Sequence, residues 1–167
     1  MLLYLVRHAV AFEHDPSRWP DDADRPLSPD GEDRFRPAAR GLGEIASPPE
    51  VVLSSPFVRA WRTAELLSEE AGWPAPVAEP ALRAEGSVEE AVKAVQGHMG
   101  NEAVAMVGHE PNLSLLAAHL MTRGDAEVGI ELKKGAVVCL GLEGASGSAW
   151  LRWSVPPRFL RALGSLG

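Results

Sequence analysis

Short apolar runs alternate with helical repeats along this chain, and that alternation restricts the possible folds more than any other feature. Apolar runs rich in β-branched residues predict strands at 2–6, 51–53, 103–107 and 136–140, with a last strand in SAWLRWSV. Helical periodicity predicts helices at 56–71, 87–98 and 111–121. Strands joined through helices pair in parallel, because the crossover helix returns the chain to the same end of the sheet. The pattern therefore predicts an α/β fold.

Two segments modify this picture. Pro37 lies inside the helical repeat at 30–45, where an interior proline kinks or breaks a helix, so we expect two short pieces there. The segment GIELKKGAVVCLGLEGASGSAWLRW has closely spaced strands and glycine-rich turns, which favour antiparallel pairing at an edge of the sheet. We expect a three-layer α/β/α sandwich with a mostly parallel central sheet.

Length and charge limit the classes of partner. The 167 residues predict one domain over 1–167, and the net charge of −7 argues against a nucleic-acid or anionic-membrane surface. The single Cys139 cannot form an internal disulfide, and the first apolar run is too short for a signal peptide. No stretch reaches the roughly 18 apolar residues of a membrane helix. We expect a cytoplasmic protein, a monomer or weak dimer, with neither nucleic acid nor membrane as partner.

Polar groups follow three of the predicted strands, at the sheet edge where open α/β folds gather ligands. Arg7 and His8 end the first strand, and His109 follows the third. After the second strand, Ser55 is predicted to cap a helix whose opening turns contain Arg59. Two guanidinium groups and a helix N-terminus favour a phosphoryl group, with the second histidine as a third donor.

His8 is then the reacting group. A histidine with an ordinary pKa of about 6.5 offers a neutral, nucleophilic ring nitrogen near pH 7. Attack on phosphorus would give a phosphohistidine intermediate, later hydrolysed by water. This scheme needs no metal and no cofactor. His109 also opens HEPNL, but position 113 is Leu rather than the second histidine of a zinc helix.

The segments LVRHAVA, RPLSPDG, LSSPFVRAWRTAELL and VGHEPNLSLLA resemble the successive signatures of the histidine phosphatase superfamily. The chain most resembles the small SixA-like branch, whose described activity is removing phosphate from phosphohistidine on signalling proteins. The resemblance implies a phosphoglycerate mutase-like fold. It also implies roles for four residues: Arg7 as catalytic arginine, His8 as nucleophile, Arg59 as second phosphate arginine and His109 as second histidine.

Other positions are assigned less directly. Many members carry an acidic proton donor in a stretch that corresponds here to EPALRAEGSVEEAV, which offers no firm match; Glu85 is the best-placed candidate. Arg25 and Asn112 are further candidates for binding phosphate, although Arg25 is equally interpreted as a loop arginine near Asp22. Ala9 stands where many members have glycine.

Three functions remain open from the sequence. The first is a SixA-like phosphatase acting on a phosphohistidine protein. The second is an enzyme acting on a small phosphorylated metabolite, either a phosphomonoesterase or a phosphoglycerate mutase-like transferase; a mutase usually needs a longer, lidded chain, so this chain favours hydrolysis. The third is a phospho-ligand binding module without turnover, against which the four intact site residues count.

Overall fold

The computed structural model describes residues 1–126, 128–144 and 148–166, and within these ranges it contains six strands and five α-helices. The strands are Leu2–Arg7 (β1), Val51–Ser54 (β2), Pro76–Ala78 (β3), Ala103–Gly108 (β4), Val137–Glu143 (β5) and Ser148–Val155 (β6). The helices are Pro29–Ile45 (α1), Val58–Ala71 (α2), Val88–Gly97 (α3), Asn112–Thr122 (α4) and Pro157–Leu163 (α5).

The strands form one sheet in the order β3-β2-β4-β1-β5-β6. β1, β2, β3 and β4 are parallel, whereas β5 is antiparallel to β1 and β6 is antiparallel to β5. The carboxyl ends of β1, β2 and β4 therefore meet at one edge. Val137, which begins β5, pairs with Val6 and with Val155 at the end of β6, so both antiparallel strands also reach this edge.

Helices cover both faces of the sheet. One buried apolar cluster joins the sheet to α1, α2 and α5, and the other joins it to α3 and α4. Alternate residues of β1 divide between them: Tyr4 and Val6 lie in the first cluster, Leu3 and Leu5 in the second. The predicted three-layer sandwich, mostly parallel with an antiparallel edge, is confirmed.

The prediction of two short helices around Pro37 is wrong. α1 runs unbroken through this proline. An interior proline costs roughly 3 kcal/mol in a helix. Phe35 and Leu42 are both buried where α1 packs against α2 and α5, and each contributes about 1.5–3 kcal/mol. Tertiary packing thus offsets the local cost.

The start of α2 also differs from the prediction. The helix begins at Val58, with Phe57 at the N-cap and no side-chain cap, so Ser55 does not cap it. The Ser55 hydroxyl accepts a hydrogen bond from the Phe57 backbone N–H at 3.2 Å and contacts a histidine of the site described below. The Ser55 hydroxyl thus bonds a histidine that is distant in the sequence instead of capping α2.

Two elements were not predicted at all. β3 has three residues and begins with Pro76, which is compatible with an edge strand. α5 has seven residues. Both are too short for periodicity to reveal them. Within the described ranges, none of the helices combines the length and the apolar character needed to span a membrane.

Candidate active site

Three chain segments deliver polar side chains to the carboxyl edge of the sheet. Arg7 is the last residue of β1 and His8 follows it, Arg59 is in the first turn of α2, and His109 directly follows β4. His8, Arg59 and His109 are each at most 6% exposed, and the two imidazole rings have their centroids 5.0 Å apart. The structure therefore brings together the four residues that the sequence groups.

The imidazole of His8 is held in one tautomer. Its Nδ1 lies 2.7 Å from the carbonyl oxygen of Ala9, which can only accept, so the proton is on Nδ1 and the Nε2 lone pair is free. Burial, assisted by His109 and the positive charges of Arg59 and Arg7, lowers the pKa of His8 to about 2. The ring is neutral at any physiological pH, as a nitrogen nucleophile requires.

His109 is held by a hydroxyl. Its Nε2 lies 3.0 Å from the Oγ of Ser55, and that oxygen already accepts from the Phe57 N–H. All three groups are satisfied when Ser55 donates its hydrogen to Nε2, which places the proton of His109 on Nδ1. Burial, followed by the charge of Arg59, lowers the pKa of His109 to about 3. His109 is therefore a neutral donor.

Both arginines leave one buried N–H without a partner. Arg7 donates through Nη1 to the Leu132 carbonyl at 2.7 Å. Arg59 donates through Nη1 to the carbonyl of Asp22 at 2.7 Å and through Nη2 to its carboxylate at 2.8 Å. In the described part of the chain, four side-chain nitrogens are buried without a hydrogen-bond partner, and three of them are Nε of Arg7, Nε of Arg59 and Nδ1 of His109.

These three N–H donors explain what the site is for. A buried donor without a partner costs about 1–3 kcal/mol, so three of them on residues that accompany His8 at one edge of the sheet favour an acceptor with several oxygens. The charges of Arg7 and Arg59 select an anion. A neutral imidazole among such donors can attack a tetrahedral oxyanion such as a phosphoryl group.

Asp22, which the sequence did not single out as part of the site, anchors Arg59. Its carboxylate also accepts from Arg25 Nε at 2.7 Å and lies 3.1 Å from His14 Nδ1. Hydrogen bonding from Arg25 is the main reason that the pKa of Asp22 lies well below its ordinary value. Arg25 is bound here to Asp22 and to the carbonyl of Phe12, at 2.7 Å, so its role as a phosphate ligand stays a prediction.

Asn112 holds the loop that carries Glu85. The Asn112 amide nitrogen lies 3.1, 3.0 and 2.9 Å from the carbonyl oxygens of Arg83, Ala84 and Gly86, which share its two N–H groups. Glu85 is exposed. Burial lowers the pKa of Arg59, and the charges of Asp22 and, to a smaller extent, Glu85 act in the opposite direction. The proposed roles of Asn112 in phosphate binding and of Glu85 in proton donation stay predictions.

Sequence reasoning missed three residues that support the site. Ser55 orients His109, and Asp22 anchors Arg59. Thr63 links two catalytic segments, because its hydroxyl accepts from the Ala9 N–H at 3.0 Å and donates to the Arg59 carbonyl at 2.7 Å. The spacing of Thr63 four residues after Arg59 on a helix was the only local signal. Within the described ranges, no group of three or more His, Cys, Asp or Glu side chains is arranged to hold a metal ion.

Known proteins share both the sequence and the fold. Residues 3–85 match the family model of the histidine phosphatase superfamily (branch 1). An uncharacterised protein of Picosynechococcus sp. is 30% identical over 142 residues, which are 84% of this chain and 84% of the relative. The protein histidine phosphatase SixA, solved with tungstate, superposes with a TM-score of 0.83 at 27% identity, over 96% of this chain and 99% of that one.

More distant structures share the fold alone. A phosphohistidine phosphatase SixA described from Nakamurella multipartitia has a TM-score of 0.73 at 24% identity, over 93% of this chain and 95% of that one. A mycobacterial glucosyl-3-phosphoglycerate phosphatase has a TM-score of 0.71 at 18% identity, over 93% and 99%. The same fold is thus found in phosphatases that are named for different substrates.

The match to the family and the arrangement of donors around His8 agree on the class of protein: a phosphatase with a phosphoglycerate mutase-like fold. The chain belongs to the histidine phosphatase superfamily, and its SixA-like character is shown by the likeness to the SixA structure solved with tungstate. Its substrate is a phosphorylated molecule.

Proposed function

We propose that this enzyme hydrolyses phosphohistidine on a protein, through a covalent phosphohistidine intermediate on its own His8. The observation that carries the choice of substrate is the state of the carboxylates beside the site. Asp22 is bonded to two arginines and its pKa is held well below the ordinary value, so it cannot supply a proton near pH 7. Glu85 is exposed to water.

The leaving group then decides between substrates. A sugar or serine alkoxide leaves poorly, and a positioned acid is worth roughly 10²–10⁴-fold in rate to such a substrate. The imidazole of phosphohistidine takes up a proton easily near neutral pH. A site flanked by an arginine-bound aspartate and an exposed glutamate therefore suits a phosphoramidate better than a phosphomonoester.

The first half-reaction transfers the phosphoryl group. Nε2 of His8 attacks phosphorus, the bond between phosphorus and the substrate imidazole breaks, and that nitrogen keeps the electron pair and takes up a proton from water. The N–H groups of Arg7, Arg59 and His109 bind the phosphoryl oxygens in the transition state.

The second half-reaction restores the enzyme. Water attacks the phosphorus in line with the bond to His8, inorganic phosphate leaves, and the imidazole returns to its neutral form. The hydrogen bond from Nδ1 to the Ala9 carbonyl holds the ring orientation through both steps.

The experiment compares kcat/KM for three substrates: a histidine-containing protein phosphorylated chemically with phosphoramidate, a phosphoserine protein and a small sugar phosphate. We expect the phosphohistidine protein to be preferred by at least about 100-fold, the lower end of the general-acid factor. The His8→Ala variant controls for contaminating phosphatase. An equal or higher kcat/KM for the sugar phosphate would refute the proposed substrate.

A further inference from the structure

A cavity of about 500 Å³ lies beside the active site, at the same edge of the sheet. Its walls are the first turns of α1, the turn before β5, the end of β6 and the start of α5. Ala9 and Val10, which directly follow the nucleophile in the chain, also line it, and Phe35 and Ala38 contribute apolar surface. The cavity therefore shares a wall with the chain segment that carries His8.

The cavity is basic although the protein is acidic, with a net charge of −7. Its charged lining consists of five cations and one carboxylate: Arg34, Lys133, Lys134, Arg158, Arg161 and Glu131. In the ranges that the structure describes, Lys134, Arg158 and Arg161 have no carboxylate within 4.0 Å. Because these three cations are not neutralised, the cavity has a positive electrostatic potential.

Hydrogen bonds fix part of this basic surface relative to the nucleophile. The Gly135 N–H lies 3.1 Å from the carbonyls of both Arg7 and His8, and Arg7 in turn donates to Leu132. Gly135 has a φ of 77°, a conformation that favours glycine, and this lets the turn fold back onto the end of β1. Lys133 and Lys134 are thus carried by a turn that is bonded to the catalytic segment on both sides.

We propose that this cavity binds acidic side chains of the phosphorylated protein, next to its phosphohistidine. The proposal rests on the proposed function. Lys133, Lys134 and Arg158 are exposed, so carboxylates on a protein surface can reach them without losing all their water. Two acidic proteins repel each other, and a local basic surface beside the reacting group both reverses that repulsion and fixes the register of docking.

The experiment separates docking from chemistry. Lys134→Glu and Arg158→Glu reverse a charge in the cavity without touching the four site residues. The matched control is Arg123→Glu, an exposed arginine at the C-terminal end of α4, away from the catalytic edge. Each variant is assayed on an acidic phosphohistidine protein and on the free amino acid phosphohistidine, and its melting temperature verifies folding.

For the acidic phosphoprotein, we expect each cavity variant to lose about three- to tenfold in kcat/KM, through KM, at about 50 mM salt. The loss should shrink at high salt. On free phosphohistidine, all three variants should stay within about twofold of wild type, and Arg123→Glu should do so on both substrates.

Three other outcomes overturn the proposal. Equal KM values for all variants on the phosphoprotein refute docking at the cavity but leave the proposed function intact. A fall confined to the small sugar phosphate, assayed in parallel, would mean that the cavity holds a second anionic group of a small substrate. If the wild type fails to hydrolyse any phosphohistidine protein, the proposed function fails and docking falls with it.

Discussion

The arginines of this protein fall into two regions that use the same side chain in opposite ways. Between α1 and α2, Arg36 donates to Glu69 and Glu70, at 3.0 and 2.6 Å, and Arg62 donates to three glutamates. At the active site, Arg7 and Arg59 each keep a buried Nε without a partner in the described part of the chain.

The contrast is sharpest within one motif. Arg59 and Arg62 are three residues apart in VRAWRT, but the Arg59 side chain is 3% exposed and that of Arg62 is 26% exposed. Arg62 is already neutralised by carboxylates, so it has little left to offer a ligand. Arg59 lacks that saturation, and a buried guanidinium with an unused donor is suited to an anion. Burial and partners, rather than residue type, distinguish Arg59, which we propose binds phosphate, from Arg62.

The largest expected effect is the loss of activity when Arg59 is replaced with lysine, and Arg62→Lys is the matched control. Arg59→Lys should lower kcat/KM by about 10²–10³-fold, because an ammonium cannot reproduce the fork that holds both Asp22 and the phosphate. Arg62→Lys should stay within about threefold of wild type. Steady-state kinetics on one substrate checks both. Similar losses of kcat/KM in the two variants would show that the different burial and partners of Arg59 and Arg62 do not determine their roles.

The next effect concerns stability against acid. The pKa values of His8 and His109 are lowered to about 2 and about 3, so both rings are neutral when folded and take up protons when unfolded below pH about 6.5. Their contribution is fully present above that pH and is lost as the pH falls. At pH 5 the free energy of unfolding should be lower by about 2 kcal/mol for each histidine.

The glutamates between α1 and α2 lose their contribution to stability at a lower pH than the two histidines do. Hydrogen bonds from Arg62 and Arg36 lower the pKa values of Glu69 and Glu70, respectively, so their contribution is lost only below the ordinary glutamate pKa of about 4.3. Urea unfolding at about pH 7.5 and about pH 5 isolates the histidines. His8→Ala should show about half of the wild-type change. A variant with the full wild-type change would place the acid sensitivity outside the site.

A smaller effect is expected from Glu85, which forms no salt bridge within the described ranges, unlike the glutamates beside Arg62. Glu85→Gln should lower the rate on phosphohistidine less than about tenfold, because the imidazole leaving group needs little help from an acid. A loss of about 10²–10⁴-fold on a phosphomonoester would instead show that Glu85 is a general acid, and it would count against the proposed substrate. Near-wild-type rates on both substrates would remove Glu85 from the mechanism.

The smallest expected effect is that of a chelator. Two arginines supply the positive charge that the phosphoryl oxygens need, so EDTA should leave kcat/KM nearly unchanged. Assays before and after dialysis against EDTA provide the measurement. Activity that disappears and then returns with added zinc or manganese would favour a metallohydrolase.

Much of this arrangement could be predicted because it is encoded locally. Apolar runs mark the strands of the central sheet, and polar residues directly after three of them meet because parallel strands end at one edge. The grouping of Arg7, His8 and His109 follows from those two rules, and Arg59 joins them because a helix is predicted directly after the second strand. Helical periodicity placed the start of α3 with similar precision, since the predicted helix begins at 87 and Ser87 is the N-cap of the observed one.

The remainder depends on contacts between distant residues. Asp22 meets Arg59 across 37 positions, from a loop without periodicity, and no local rule pairs them. Ser55 satisfies the local rule for an N-cap, yet its hydroxyl serves His109, 54 positions away. The continuity of α1 through Pro37 likewise depends on neighbours that appear only after folding. A locally predicted structure does not form where contacts between distant residues contribute more to the stability of the fold.

The central claim is that His8 is the nucleophile, and trapping the intermediate tests it most directly. Enzyme mixed with ³²P-labelled phosphohistidine protein is quenched in alkali, in which a phosphoramidate survives, and the labelled peptide is identified. We predict label on His8 that is stable in alkali and lost in acid, with none in His8→Ala. Label on another residue, or rapid turnover by His8→Ala, would contradict the account.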